Sequence, residues 1–271
     1  KTGAIMKIIP MNHDGELIFS EYEKLLSNKT KVVFVNHVSN ALGTINPVKQ
    51  IISKAHEFGA AVLIDGAQAL PHFEVDVKDL DVDFYVGSAH KFYGPTGVGI
   101  LYGKEKWLDK LPPYQGGGEM IDEVTFEKTT YAKLPNKFEA GTPNISGVIA
   151  SGIAIDYINN IGLKTILKYE EELLKYATEK LLEIDGIKIY GNTDNKTSVI
   201  SFNLGNIHHY DIGSIIDNEG IAVRTGHHCA QPIMDYYKIP GTIRLSLSFY
   251  NTKEEIDSLI SAIILAKKML S

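Results

Sequence analysis

The sequence predicts an α/β protein with a mainly parallel sheet, followed by a smaller α+β unit. Three observations carry that expectation. Apolar, valine-rich runs of strand length alternate with a helical segment between residues 31 and 103. Polar residues gather just after each of the first three runs. Around residues 135–160 the texture changes, and a turn-rich stretch gives way to two long helices.

Taken in order, KVVFVNHVS (31–39) is a continuous apolar run, and VKQIISKAHEFG (48–59) spaces its apolar residues as a helix does and ends at a glycine. AAVLIDGAQ (60–68), DFYVGSAHK (83–91) and VGILYG (98–103) read as further strands. Strand, helix, strand in this order implies right-handed crossovers and a sheet buried on both faces. PNKFEAGTPNISG (135–147) is polar and rich in turn formers. VIASGIAIDYINNIG (148–162) and LKTILKYEEELLKYATEKLLEID (163–185) then read as helices, the second long and amphipathic, with KYEEELLKYATEK as a solvated face. SVISFNLG (198–205) and TIRLSLSFY (242–250) are strands, and YDIGSIIDNEG is a short helix closing on glycine. The last helix opens at Asn251 or Thr252 as cap, with acidic residues in its first turn. The expected division is a large domain over residues 1–156 and a small one over 157–271.

The chain has 271 residues and a net charge of -6, without a Lys/Arg cluster, which argues against a nucleic-acid surface and favours small organic substrates. No apolar run has the length of a membrane span and no leader opens the chain, so the expected location is the cytoplasm, or an organelle if a transit peptide preceded Lys1. KTGAIMKIIPMN reads as the interior of a domain, which suggests a fragment or processed form. One cysteine, Cys229, cannot form an internal disulfide.

Ligands of open parallel sheets sit at the carboxyl ends of strands. Those ends carry Asn36, His37 and Asn40, then Asp65 and Gln68, then Ser88, His90 and Lys91. Singly they have ordinary explanations: Asp65 as a helix cap, Gln68 as a surface residue, Ser88 as a turn former. Together they mark one rim. In GSAHKFYGPTG (87–97) Lys91 lies among three glycines and a proline, a setting that a solvated lysine does not need. A lysine that forms a Schiff base must be neutral when it attacks. Pyridoxal phosphate accounts for the neighbours, with Asp65 for the pyridine nitrogen and Ser88 and His90 for the phosphate.

LIDGAQA followed by DFYVGSAHKFYGPTGVGILYG, with GGGEMI (116–121), FEAGTPN (138–144) and RTGHHCAQP (224–232), resembles the group II, SUF-type cysteine desulfurases among the class V aminotransferase-like enzymes. The resemblance implies a fold type I pyridoxal-phosphate transferase, with Lys91 as the internal aldimine, Asp65 on the pyridine nitrogen and Gln68 on the phenolic oxygen. Ser88 and His90 would bind phosphate, and Thr142 would reach a phosphate across a homodimer interface. Asn40 and Arg244 are similar to the family's substrate-carboxylate residues. Arg224 resembles a second active-site arginine, a salt bridge being its other reading. Cys229 is the implied nucleophile, with ionisation help from His227 and His228. A metal site from HHC with His208 and His209 is disfavoured, because adjacent histidines point apart.

The implied reaction converts L-cysteine to L-alanine and leaves a persulfide on Cys229 for iron-sulfur cluster assembly, through an acceptor of SufE or SufU type. L-selenocysteine is a further implied substrate. A selenocysteine lyase, another class V pyridoxal-phosphate enzyme and a non-catalytic fragment are the alternatives. Family members carry an N-terminal segment before the position of Lys1. It supplies a hydroxyl residue of the phosphate cup, a histidine that stacks on the cofactor ring and part of the sheet.

Overall fold

The computed structural model describes residues 3–270. Its elements are α1 (Phe19–Leu25), β1 (Val32–Asn36), α2 (Val48–Glu57), β2 (Ala61–Asp65), β3 (Phe84–Ser88), β4 (Gly99–Gly103), α3 (Glu105–Leu108), β5 (Ile121–Val124), β6 (Thr129–Tyr131), α4 (Ile145–Ile161), α5 (Leu163–Leu182), β7 (Ile187–Tyr190), β8 (Val199–Leu204), α6 (His209–Asn218), β9 (Arg224–Gly226), α7 (Gln231–Tyr237), β10 (Thr242–Ser246) and α8 (Lys253–Leu270).

The first sheet runs β1-β2-β3-β4. β1 to β2 and β2 to β3 are parallel, while β4 returns antiparallel to β3. The turn of chain between β3 and β4 is short, and a short connection reverses direction where a parallel crossover needs a dozen residues or more. α2 covers one face through Val48, Ile51, Ile52 and Ala55. The expectation of burial on both faces does not hold among the described residues: Phe34 is 68% exposed, and Val32, Ile100 and Leu101 are exposed with it. In β1, Val33 and Val35 turn toward α2's side while Val32 and Phe34 turn away from it, because alternate residues of a strand point to opposite faces.

The second sheet, β7-β8-β10-β9, is antiparallel throughout. α5, α6 and α8 pack on it around Phe202, Ile200, Ile212, Ile243 and Leu173, a core separate from the one between α2 and the first sheet. Two smaller clusters join the lobes, one through Phe92, Ile158 and Ile166, the other through Leu42 and Tyr190. α4 runs unbroken across residues 156 and 157. The Asn144 side chain caps it by accepting from Gly147 N at 3.1 Å. At the last helix, Thr252 and Glu255 bond each other's backbone N–H, a capping box.

One expectation fails within α5. KYEEELLKYATEK is not wholly a solvated face, since Glu170 is 2% exposed and lies on the same stripe as Leu173 and Ala177. Helical spacing put that carboxylate on the core side, and a buried partner holds it there.

Candidate active site

Backbone geometry forms the rim. Asn36, the end of β1, is the register partner of Asp65, the end of β2, and β3 ends alongside at Ser88. Asp65 is exposed, and its Oδ1 accepts from Ala67 N at 2.9 Å, which turns the chain sharply after the strand. Gly66 is required there, because a Cβ would stand 1.9 Å from the Tyr85 ring. Tyr85 shares a 3.0 Å hydrogen bond with His37 Nδ1 beneath Asp65. Burial and the Asp65 carboxylate push the phenol pKa up, and burial pulls that of His37 down to about 4, so both groups are neutral under the rim.

Beyond β3, Ser88 Oγ and His90 Nδ1 are 2.9 Å apart, and Lys91 closes a single 3-10 turn, Ala89–Lys91, partly buried. Gln68 contacts His72. Asp65, Gln68, Ser88, His90 and Lys91 thus belong to adjoining strand ends. Thr142 is exposed on the connection before α4, where Gly141 N bonds Gly118 O at 2.9 Å. No hydrogen bond among the described residues joins it to the Ser88–His90 pair.

A second group is tied together directly. Arg224 and Arg244 are register partners on β9 and β10. Arg224 Nη2 donates to Cys229 Sγ at 3.4 Å, and Arg244 Nη1 to the Asn40 carbonyl at 2.8 Å. Asn40 Nδ2 in turn donates to the His228 carbonyl at 2.6 Å. Asn40 belongs to the segment leaving β1, so it links the rim to the arginine pair. His228 and Cys229 both take left-handed backbone (φ 55° and 58°), which sets the thiol outward on an exposed turn.

The expectation that His228 assists ionisation is corrected. Its ring is buried against Thr242 Oγ1 at 2.8 Å, and burial with the Arg244 and Arg224 charges lowers its pKa to about 4. The cation facing the sulfur is Arg224. Among the described residues no three of His, Cys, Asp and Glu gather as a metal needs. Sequence reasoning passed over Thr242, His72 and Glu170, each significant only through a contact across the fold.

The aminotransferase class-V family model matches residues 1–259. The chain belongs to the aminotransferase class-V family. This class-V chain is 50% identical over 264 residues to a cysteine desulfurase of Enterobacter sp. (strain 638), covering 97% of this chain and 65% of the relative. It is 51% identical to a cysteine desulfurase of Shigella sonnei, with the same coverage. Among solved structures, the cysteine desulfurase CsdA of Escherichia coli superposes with a TM-score of 0.93 at 34% identity, over 97% of this chain and 65% of that one. The apo cysteine desulfurase of Thermococcus onnurineus NA1 gives 0.92 at 39% identity, over 97% and 66%. The class-V chain therefore spans about two thirds of the length of these relatives. No described helix is long and apolar enough to cross a membrane.

The class-V aminotransferase and cysteine desulfurase families depend on pyridoxal phosphate, and the rim of this class-V chain fits that group by its donor set. A carboxylate, an amide, a hydroxyl, an imidazole and a primary amine lie at adjoining strand ends. Gly87, just before Ser88, lets Leu70 pack close to the end of β3, where a Cβ would meet Leu70 Cδ1 at 2.5 Å.

Proposed function

We propose that this class-V chain carries the cofactor- and cysteine-handling residues of a pyridoxal-phosphate-dependent cysteine desulfurase. The observation that carries this reading is the Arg224–Cys229 contact at 3.4 Å, beside Arg244 on the neighbouring strand. It gives one exposed sulfur a fixed cation, and a second guanidinium for a substrate carboxylate.

Bound at the rim, the cofactor supplies an electron sink that labilises bonds at the substrate's α-carbon. Lys91 would hold it and move the α-proton, Asp65 would serve the pyridine nitrogen, Gln68 the phenolic oxygen, and Ser88 and His90 the phosphate. Thr142 serves the phosphate of a second copy in a homodimer. Asn40 and Arg244 orient the amino-acid carboxylate. Cys229 sulfur then forms an S–S bond with the substrate sulfur as the C–S bond breaks. The electron pair stays on carbon, which takes a proton. L-cysteine plus one thiol gives L-alanine plus one persulfide, so no oxidant enters. The persulfide would pass to an acceptor of SufE or SufU type within a SUF pathway, and residues 1–156 and 157–271 would act as cofactor lobe and sulfur lobe.

The test is Cys229→Ala. We expect an unchanged cofactor absorbance band and loss of alanine formation from L-cysteine. Alanine formed at the wild-type rate would remove Cys229 from the reaction. Running L-selenocysteine in parallel distinguishes a lyase, for which the selenium substrate alone turns over in the wild type.

A further inference from the structure

We propose that His72 and Glu170 are positioning residues that fix the Gln68 amide with one N–H available to the cofactor's ring oxygen, and that they couple this amide to the lobe bearing Cys229. The inference rests on the cofactor reading above and deepens it.

Glu170 is 2% exposed and His72 5%. A carboxylate at that depth is costly unless it is hydrogen-bonded, and an aliphatic side chain would continue the Leu173 and Ala177 stripe without the penalty. Its contacts show what it holds. Glu170 Oε2 accepts from His72 Nδ1 at 2.6 Å, and the Ser198 hydroxyl lies 3.2 Å from the same oxygen. A carboxylate only accepts, so Nδ1 carries the hydrogen, and in the neutral imidazole Nε2 is then the ring's acceptor. Facing Nε2 at 3.4 Å is Gln68 Nε2. Only the NH2 end of the amide satisfies that lone pair, and the same nitrogen keeps a second N–H.

A phenolic oxygen that has lost its proton accepts and does not donate. With the tautomer reversed, the amide would turn over and set its carbonyl oxygen toward His72. The imidazole thus sets which end of Gln68 is offered. The pair also spans the fold. Gln68 and His72 follow β2 on the loop that begins at Asp65, whereas Glu170 is on α5 and Ser198 leads into β8, in the lobe of Arg224, Arg244 and Cys229.

The experiment titrates the full chain with pyridoxal phosphate, reading dissociation constant and absorption maximum, and follows the histidine side chains of the cofactor-free chain by 15N NMR. His72→Phe keeps a ring and removes both nitrogens. We expect it to weaken the cofactor about tenfold, the value of one hydrogen bond, and to move the absorption maximum. Gln68→Ala should do the same, and the double variant should be no worse than Gln68→Ala alone. His72→Gln, which can bond both neighbours, should restore part of the shift. Losses that multiply in the double variant, with an unmoved absorption maximum, would show that His72 acts only on stability and overturn the proposal. NMR should find His72 protonated at Nδ1, with that preference lost in Glu170→Leu. An Nε2–H tautomer in the wild type overturns the relay itself. A wild type that takes up no cofactor overturns the cofactor reading and the ligand assigned here with it, and is told apart by the tautomer result.

Discussion

Arg224 and Arg244 face each other across β9 and β10, and the side-chain hydrogen bonds they make among the described residues go to Cys229 sulfur, the Asn40 carbonyl and Ser246 Oγ, with no carboxylate among them. Like charges directly opposite on paired strands destabilise the pair. Burial and the neighbouring Arg224 charge already pull the Arg244 pKa down. A fold that keeps two such groups together is arranged for an anion to join them. The substrate carboxylate and the ionised thiol are the two anions of the proposed reaction.

The arginines should therefore fail differently. Arg244→Lys keeps charge and loses the fork, and we expect KM for L-cysteine to rise about 10- to 100-fold, the range for losing a charge-assisted hydrogen bond of about 1.5–3 kcal/mol. Arg224→Ala should instead lower kcat for sulfur transfer. Steady-state kinetics on alanine release separates the two, and an unchanged KM in Arg244→Lys would remove it from carboxylate binding.

Lys91 should be the single site of covalent cofactor attachment. Incubation with pyridoxal phosphate, borohydride reduction and peptide mapping should place the adduct on the peptide containing Lys91, and Lys91→Ala should abolish it. Asp65→Ala should retain the adduct but weaken reversible cofactor binding. An adduct spread over exposed lysines, unaffected by Lys91→Ala, would count against the rim as the site.

The rim was legible in the sequence because strand length, alternation with α2 and three polar strand ends are local signals. Lys91 showed itself by the small residues around it. The arginine pair was legible only through resemblance, since β9 has three residues and no periodicity to show that Arg224 stands opposite Arg244. Glu170 was misread for a physical reason: in KYEEELLKYATEK three consecutive glutamates look solvated, and although helical spacing puts the first on the stripe of Leu173 and Ala177, what stabilises a carboxylate there is a partner on another lobe. The exposed face of β1 was equally hidden, because an apolar run reports what a strand is able to bury and not what covers it.

Stability should fall with acid in a defined window. His37 and His228 both have pKa values lowered to about 4 by burial, so between the ordinary value of 6.5 and about 4 the unfolded chain binds protons that the folded chain does not. Their contribution is complete above pH 6.5 and is lost progressively as pH falls toward 4. Asp83, held below its usual value by His56, Trp107 and Val62 N against the opposing effect of burial, adds its loss at lower pH. Urea unfolding across the window should show a slope that drops by up to about 1.4 kcal/mol per pH unit in His37→Phe, the linkage of one proton. Identical slopes in variant and wild type would mean that His37 is not buried in its neutral form.

The turn that presents Cys229 should depend on Thr242. Two successive non-glycine residues in left-handed backbone are costly, at about 1–3 kcal/mol each, and the turn persists because its neighbours hold it. Asn40 holds the His228 carbonyl and Thr242 holds its ring, whose Nδ1 is buried without a partner. Thr242→Val keeps the shape of the side chain and removes the hydroxyl, leaving both ring nitrogens unsatisfied. We expect a loss of about 1–3 kcal/mol in urea unfolding, the cost of stranding a buried polar group. Thr242→Ser should recover most of it. Because Cys229 is the sole cysteine, its reaction with a chromogenic disulfide reports the turn alone. That rate should change in Thr242→Val while cofactor uptake at the rim does not. A variant that keeps both wild-type stability and the wild-type thiol rate would show that the turn is held without the Thr242 hydroxyl.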